Sequence, residues 1–347
     1  MTPIVILDEP AVERLLHYQE LIPAIARALA DLSAGRVVQP VRTVLPVAPH
    51  QGFFAIMPAY AGALGAKLVT FYPRNEGIHT HHAVIMLFRP ETGEPLAMMD
   101  GRLITEMRTA AASAVATQRL ARVEASVLAI LGSGVQARSH LEALRLVRPF
   151  SEVRVWSPRN ARAFAEHHGV TATATPEEAV RGADVVVVAV SSRVPVLFGR
   201  WLSPGTHINA IGATRPDWRE LDDEVLAGAR LYVDSREAAT KESGDVIAAR
   251  EVVAEIGEVV AGSHPGRRSA DEITLFKSVG VAVEDVATAA LVFEAYRTAE
   301  ASALPNHHAS NSADRIDLTV GGRRTHAEAR GRHRRLSRPA GDRHVRG

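Results

Sequence analysis

The sequence predicts an α/β protein with a doubly wound parallel sheet and a smaller α+β part that precedes it in the chain. From Ala125 onward, apolar strand segments alternate with helical segments, whereas the chain before it is rich in strands separated by turns. Alternation of this kind is typical of a parallel sheet with helices on both faces. The strands predicted in the second part are Val127–Leu131, Val153–Trp156, Asp184–Val190, His207–Ile211 and Leu231–Val233.

The first part of the chain is predicted to hold a helical region and then an antiparallel sheet. Asp8 is placed to cap the helical region, whose apolar residues recur at helical spacing until Gly35. A helix rich in small residues begins near Gly101. Between them, turn residues separate the strand segments Val41–Val47, Gly52–Pro58, Ala66–Tyr72, Ala83–Phe88 and Leu96–Met99.

A glycine turn follows the first strand of the second part. Gly132 permits a tight turn, Gly134 lets the backbone approach phosphates, and Ala137 takes the third small position of a dinucleotide-binding fingerprint. The helix that begins here would hold a pyrophosphate at its N-terminus. We therefore predict a Rossmann sheet that binds a nicotinamide dinucleotide. Its predicted cofactor-binding residues include Gly132, Ser133, Gly134, Val135, Gln136, Ser191 and Ile211.

The segment after the second strand of this sheet favours NADPH. The fingerprint places the residue that reads the ribose about 20 residues after the glycines, and an acid there would repel a 2′-phosphate. Here the chain has Ser157, Arg159 and Asn160 and no carboxylate. A hydroxyl, a guanidinium and an amide suit the phosphate, so we predict NADPH, with NADH as the alternative. The competing interpretation is an ordinary turn and helix cap.

The elements group into two domains and a tail. A long helix from about Val283 to Glu300 carries apolar residues that would pack on the first domain. We predict a first domain at 1–120 with 281–303, a Rossmann domain at 121–280 and a disordered basic tail at 304–347. The tail has ten Arg and no Lys against three Asp and one Glu, and it has no aromatic residue. Without aromatic residues to stack on bases, nucleic acid is not an expected partner.

Composition excludes several classes of function. The chain of 347 residues has no cysteine, which excludes disulfides, thiolate catalysis and cysteine-ligated metal sites. Its N-terminus lacks a basic segment of the kind found in signal peptides, and its longest strongly apolar run, 183–190, is too short to span a membrane. We therefore expect a cytoplasmic protein with no membrane partner.

Three cations stand where the pattern favours apolar residues. Arg42 lies in an apolar segment, Lys67 shares a strand face with apolar residues, and Arg108 lies in the small-residue helix. Arginine binds a carboxylate through two hydrogen bonds, and a desolvated lysine can donate a proton. Together they predict a substrate that bears a carboxylate. The alternative is that each cation extends to the surface and pairs there.

Two later segments and a histidine cluster complete the candidates. The segments around Thr214 and Glu242 follow strands of the parallel sheet, where loops at the carboxyl ends line the ligand crevice.

His79, His81 and His82 could resemble metal ligands, but Glu76 is the only carboxylate near them in the sequence. We predict no metal.

Several long stretches resemble the ornithine cyclodeaminase/mu-crystallin family, and the mu-crystallin-like ketimine reductases within it most closely. They cover about residues 36 to 297 in order. The matching stretches are QPVRTVLPV, AKLVTFY, MDGRLITEMRTAAASAVAT, LGSGVQARSH, LFGRWLSPGTHINAIGATRPDWRELDDEVL, LYVDSREAATKESGDV and LFKSVGVAVEDVATA.

The resemblance implies a homodimer in which the first domain binds substrate and forms the dimer, and the Rossmann domain binds the cofactor. It implies that Arg42, Lys67 and Arg108 bind the substrate carboxylate and that Glu242 faces the same pocket. On the cofactor side it implies roles for His81, Arg108, Ser157, Arg159, Asn160 and Ser278.

One departure from the family pattern distinguishes between reactions. In ornithine cyclodeaminases the position aligned with Thr214 is an aspartate that serves the substrate amino group, and threonine cannot act as that base. We therefore predict an NAD(P)H-dependent oxidoreductase that reduces cyclic ketimines such as piperideine- or pyrroline-2-carboxylate, with Lys67 and Glu242 as the catalytic candidates. The alternatives are a reductive aminase like alanine dehydrogenase, a cyclodeaminase, or a non-catalytic protein that binds NADPH and a thyroid-hormone-like ligand.

Overall fold

The structure is a computed structural model that describes residues 3–303. Six strands form its first sheet, namely β1 Val5–Leu7, β2 Thr43–Val47, β3 Gly52–Ala61, β4 Ala63–Phe71, β5 His81–Phe88 and β6 Pro95–Asp100. Their order across the sheet is β1-β6-β5-β4-β3-β2, and β1 alone pairs with its neighbour in parallel. The predicted antiparallel sheet is therefore confirmed. The predicted basic tail, 304–347, lies outside the described residues.

Alternation along the strands gives the first sheet two different faces. On the inner face, Met57, Lys67 and Ile85 lie opposite one another on β3, β4 and β5 and are almost fully buried. The other face is apolar and exposed. We call it the outer face, and it includes Ile6, Leu45, Ile56, Tyr60 and Val84.

The second sheet has eight strands, all parallel. Their order, β13-β12-β14-β11-β10-β7-β8-β9, reverses direction between β7 and β10. In open parallel sheets ligands bind outside the carboxyl ends of the strands at such a reversal. The strands are β7 Val127–Leu131, β8 Glu152–Trp156, β9 Thr171–Ala172, β10 Val185–Val188, β11 His207–Ala210, β12 Ala229–Val233, β13 Ala254–Glu255 and β14 Ile273–Lys277.

Eleven α-helices lie within residues 3–303: α1 Glu9–Leu15, α2 Tyr18–Ser33, α3 Arg102–Leu120, α4 Val135–Arg145, α5 Ala161–His168, α6 Pro176–Val180, α7 Asp223–Gly228, α8 Arg236–Glu242, α9 Gly244–Ala248, α10 Ile256–Val260 and α11 Ala282–Ala303. The side chain of Asp8 caps α1 by accepting a hydrogen bond from Ala11 N, as predicted. The helical region predicted after Asp8 divides into α1 and α2. No helix in this part of the chain is both long and apolar enough to cross a membrane.

Two helices join the sheets into one apolar core. Helix α3 packs against α2 and α4 and also contacts β5 of the first sheet and β11 of the second. Its alanines at 110, 111, 112, 114 and 116 are completely buried, and their small side chains let neighbouring elements approach closely. Helix α11 leaves the second sheet after β14 and packs on β3, β4 and β5, as its apolar residues predicted.

Candidate active site

Lys67 lies at the centre of the first sheet and faces inward. Its side chain is 2% exposed, and its Nζ lies 2.6 Å from Oδ2 of Asp285 on α11. The strand alternation that buries Met57 and Ile85 also places Lys67 on this face. The alternative of a lysine that extends to the surface is therefore wrong.

Arg108 reaches the same carboxylate from α3. Its Nε donates to Asp285 Oδ1 at 3.0 Å, and its Nη1 donates to Glu284 Oε2 at 2.8 Å. Both acids lie in the first turn of α11, where a helix favours negative charge. Asp285 thus holds both Lys67 and Arg108, and the surface alternative fails for Arg108 as well.

Burial shapes the protonation of this cluster. Burial lowers the pKa of Lys67 to about 8, although Asp285 opposes that shift. Burial also raises the pKa of Glu284 to about 7 against the effect of Arg108. For Asp285 the two cations outweigh the effect of burial, so its pKa lies below the ordinary value. Near neutral pH the cluster therefore holds a charged lysine that can give up a proton.

Arg42 pairs with Glu242 at the edge of the crevice. Its Nε lies 2.9 Å from Glu242 Oε1, and its Nη2 donates to the carbonyl oxygens of Val279 and Gly280 at 2.7 and 2.6 Å. Burial raises the pKa of Glu242 against the effect of Arg42. Gly280 also borders Arg108, because a Cβ on this glycine would lie 2.6 Å from Arg108 Nη1. The loop after β14 therefore links Arg42 with Arg108.

Thr214 lies in the loop after β11, next to Arg215, a cation that interrupts no apolar pattern in the sequence. Thr214 is exposed, and the guanidinium of Arg215 lies 3.6 Å from the centre of the Phe53 ring. This stacking connects the loop to β3 of the first sheet. The charges of Arg42 and Glu242 reach Arg215 and act on its pKa, which burial lowers. Thr214 therefore lies in a loop that borders the Arg42–Glu242 pair.

The glycine turn fits a dinucleotide. Gly132 has φ +126°, and a Cβ there would lie 2.3 Å from Ala189 O, so only glycine suits this position. The space around Gly134 is open, and α4 begins at Val135. Gln136 Oε1 is buried without a hydrogen-bond partner among the described residues. The open position and the helix start are features that a bound pyrophosphate would use.

Other predicted cofactor residues gather at the same edge of the sheet. Ser157 Oγ lies 2.8 Å from Ser133 Oγ and accepts a hydrogen bond from Asn160 N, so the loop after β8 lies against the glycine turn. Arg159 and Asn160 are exposed there. Ser191 follows β10, which pairs with β7, and Ile211 follows β11, the next strand beyond β10. Ser278 follows β14, but its hydroxyl donates to Asp234 at 3.0 Å.

His81 lies at the start of β5. Its ring stacks on Phe71 with the ring centres 4.3 Å apart. Loss of water around the imidazole lowers the pKa of His81, and the charge of Lys67 contributes to that shift. His79 precedes the strand and lies outside it. Among residues 3–303, no group of His, Asp or Glu side chains is arranged to hold a metal ion.

Sequence reasoning missed the acids that hold the cations. Asp285, Glu284 and Asp234 are fully buried, but acids at a helix start or a strand end are ordinary capping residues in a sequence. A second buried cluster was also missed, in which Lys277 Nζ lies 2.6 Å from Glu220 Oε1. A lysine inside the apolar strand ITLFK was the available signal for it.

Comparison with known proteins identifies the family. The model of the ornithine cyclodeaminase/mu-crystallin family matches residues 4–301. The chain belongs to this family. It is 50% identical over 300 residues to the ketimine reductase mu-crystallin of Macropus fuliginosus, covering 82% of this chain and 95% of that protein.

Solved structures of this family share the fold. The Δ1-pyrroline-2-carboxylate reductase of Thermococcus litoralis, in complex with NADH and L-proline, superposes with a TM-score of 0.81 at 39% identity, covering 86% of this chain and 98% of that one. An archaeal alanine dehydrogenase dimer with bound NAD gives 0.81 and 39%, covering 86% and 97%. The predicted family and α/β fold class are confirmed, whereas the role of each site residue stays a prediction.

Proposed function

We propose that this protein is an NADPH-dependent reductase of imines that bear a carboxylate, such as cyclic ketimines. The observation that carries the proposal is the buried Lys67, which lies beside Arg108 on the inner face of the first sheet. The reductases of this family that act on ketimines and on Δ1-pyrroline-2-carboxylate support it. The bound cofactor would supply a hydride to the carbon of the C=N bond.

In this proposal the three cations have two different roles. Arg42 and Arg108 bind the substrate carboxylate and thereby orient the C=N bond, and such positioning contributes up to about 7–11 kcal/mol in favourable cases. Lys67 gives a proton to the imine nitrogen, which becomes the amine as the carbon accepts the hydride. A pKa of about 8 keeps Lys67 charged at neutral pH and close enough to that pH to donate. Glu242 is the rival donor.

The cofactor preference and the assembly belong to the same proposal. Ser157, Arg159 and Asn160 favour NADPH because no carboxylate stands there to repel a 2′-phosphate. We also propose a cytoplasmic homodimer, joined through the outer face of the first sheet, with the substrate domain at 1–120 and 281–303 and the cofactor domain at 121–280. The apolar outer face and the dimeric archaeal relative support this assembly.

A substrate panel tests the reaction. We expect turnover of Δ1-piperideine- or Δ1-pyrroline-2-carboxylate, faster with NADPH than with NADH. Arg42→Ala should raise the KM of the imine at least about tenfold, since a hydrogen bond to a charged group contributes about 1.5–3 kcal/mol. Lys67→Ala should lower kcat by about 10²–10⁴-fold through loss of the general acid. If both variants turn over the imines at the wild-type rate, the proposed roles are wrong.

A second candidate, reductive amination of a keto acid, is favoured by the similarity to the archaeal alanine dehydrogenase. Pyruvate with ammonium, assayed beside the preformed ketimines, separates the two reactions. We expect the ketimines to be the better substrates. Ornithine tests cyclodeamination, which the exposed Thr214 does not support because threonine cannot serve as an anionic base. An absence of turnover with every compound would indicate a protein that only binds its ligands.

A further inference from the structure

Asp234 is a buried acid that touches neither Arg42 nor Lys67. It follows β12 and is fully buried. Its Oδ2 accepts hydrogen bonds from Ser278 Oγ at 3.0 Å, Val279 N at 2.8 Å and Gly280 N at 2.7 Å. One carboxylate oxygen therefore gathers three donors from one turn, the segment 278–280. A buried acid with this many donors has a specific structural task.

The turn 278–280, which donates these hydrogen bonds to Asp234, borders both Arg42 and Arg108. The carbonyl oxygens of Val279 and Gly280 accept hydrogen bonds from Arg42 Nη2. Gly280 has φ +76°, and it leaves room for the Arg108 guanidinium where a Cβ would otherwise lie. The backbone N–H groups of the turn point to the acid, and its carbonyl groups point to Arg42. Any rotation of the turn would therefore move the groups that fix this guanidinium.

The second oxygen of Asp234 supports the partner of Arg42. Its Oδ1 accepts a hydrogen bond from Ser235 N at 2.8 Å, and Ser235 caps the start of α8. Helix α8 ends at Glu242, whose Oε1 pairs with Arg42 Nε at 2.9 Å. One oxygen of Asp234 therefore fixes the turn that binds Arg42, and the other fixes the start of the helix that carries Glu242.

We propose that Asp234 is a positioning residue that orients Arg42, and to a smaller extent Arg108, toward the substrate carboxylate by fixing the turn 278–280 and the start of α8. The inference rests on the proposed function only in taking a carboxylate as the ligand. An asparagine could not replace this acid, because its neutral oxygen accepts hydrogen bonds more weakly than a carboxylate oxygen and its amide group would bring a donor toward Ser235 N.

The test compares Asp234→Asn with a matched control in the full-length protein. Asp184 is the control, because its Oδ2 also accepts backbone N–H groups, from Ser126 and Val127 at 2.8 and 2.9 Å, but it stands at the opposite end of the sheet, before β10. The readouts are the Kd of pyrrole-2-carboxylate in the presence of NADPH by calorimetry, the KM and kcat of the imine, the Kd of NADPH and the melting temperature.

For Asp234→Asn we expect the Kd of pyrrole-2-carboxylate and the KM of the imine to rise at least tenfold, with a smaller change in kcat and in the Kd of NADPH. Asp184→Asn should lower the melting temperature and leave both constants within twofold of wild type. In an Arg42→Gln background, the effect of Asp234→Asn on the Kd should fall below threefold, because the acid acts largely through Arg42.

The inference is overturned if Asp234→Asn leaves the Kd and KM within twofold, or if its loss is equally large in the Arg42→Gln background. Should Asp234→Asn fail to fold, Ser278→Ala removes one of the three donors and is expected to raise the Kd about threefold; an unchanged Kd would then refute the inference. If the wild-type protein reduces no imine, the proposed function fails, while the Kd of pyrrole-2-carboxylate still reports on positioning.

Discussion

Lys67 is buried and still charged because Asp285 lies 2.6 Å away. Burial nevertheless lowers its pKa to about 8, below that of an exposed lysine. The ammonium is therefore protonated below about pH 8 and neutral above it. If protonated Lys67 is the proton donor, activity is present on the acidic side of this value and is lost on the alkaline side.

We accordingly expect kcat/KM for the imine to fall above about pH 8. In Lys67→Arg the guanidinium stays charged throughout the accessible range, so the alkaline decrease should disappear and kcat should be low at every pH. The exposed Lys241 supplies the control, and Lys241→Arg should keep the wild-type profile. The measurement is the rate between pH 6 and 10, and an unchanged alkaline decrease in Lys67→Arg would exclude Lys67 as the titrating group.

The sequence predicts the three cations of the site but not the acids that pair with them. Arg42, Lys67 and Arg108 interrupt apolar patterns, which is a visible signal. Asp285 lies in the first turn of a helix, a position where acids are common for reasons unrelated to a site. Its contact with Lys67 joins residues that are distant in the chain, and only the fold determines such a pair.

Among the elements, the turn from β7 to α4 depends on one backbone conformation. Gly132 combines φ +126° with a Cβ position 2.3 Å from Ala189 O. Gly169, after α5, has φ +64° with nothing within 4 Å of its Cβ position. A side chain at Gly132 would therefore cause both backbone strain and a steric clash, whereas a side chain at Gly169 would cause backbone strain alone.

We expect Gly132→Ala to weaken NADPH binding at least tenfold, because the turn must shift away from β10. Gly169→Ala should cost only the strain of a left-handed residue, about 1–2 kcal/mol of stability, with no change in the Kd of NADPH. Fluorescence titration of NADPH and thermal unfolding measure the two effects. Equal losses of NADPH affinity in both variants would contradict this account of the turn.

The sequence predicted most elements but not their arrangement. Periodicity located the long strands and α11, because apolar faces repeat over several turns or residues. The two-residue strands β9 and β13 are too short to show any period. The position of β14 between β11 and β12 depends on how the connecting helices pack, and no local pattern records it.

For the whole molecule, the outer face of the first sheet is the feature that a single protomer leaves unexplained. Ile56 and Tyr60 of β3 and Val84 of β5 are exposed there, and Leu68 of β4 lies between Ile56 and Val84. A contiguous apolar face of this kind is typical of an interface. The proposed homodimer would cover it with the same face of a second copy.

We expect Ile56→Glu to dissociate the dimer, because it places a charge in the apolar contact. Light scattering should give twice the 37.3 kDa chain mass for the wild-type protein and one chain mass for the variant. Val123→Glu is the control, since Val123 is 85% exposed between α3 and β7, away from the outer face. A wild-type protein of one chain mass, or a dimeric Ile56→Glu, would count against the outer face as the interface.

The alternation along β4 also limits how this sequence can evolve. Lys67 and Leu68 stand on opposite faces, so one residue gained or lost between the turn at Gly62 and Lys67 would exchange them. A gain of two residues would restore the face but move the ammonium about 7 Å along the strand, away from Asp285. Apart from Gly65, where a Cβ would lie 2.6 Å from Met86 O, the residues at 63–66 can therefore change in kind, whereas their number is fixed by the ion pair that follows them.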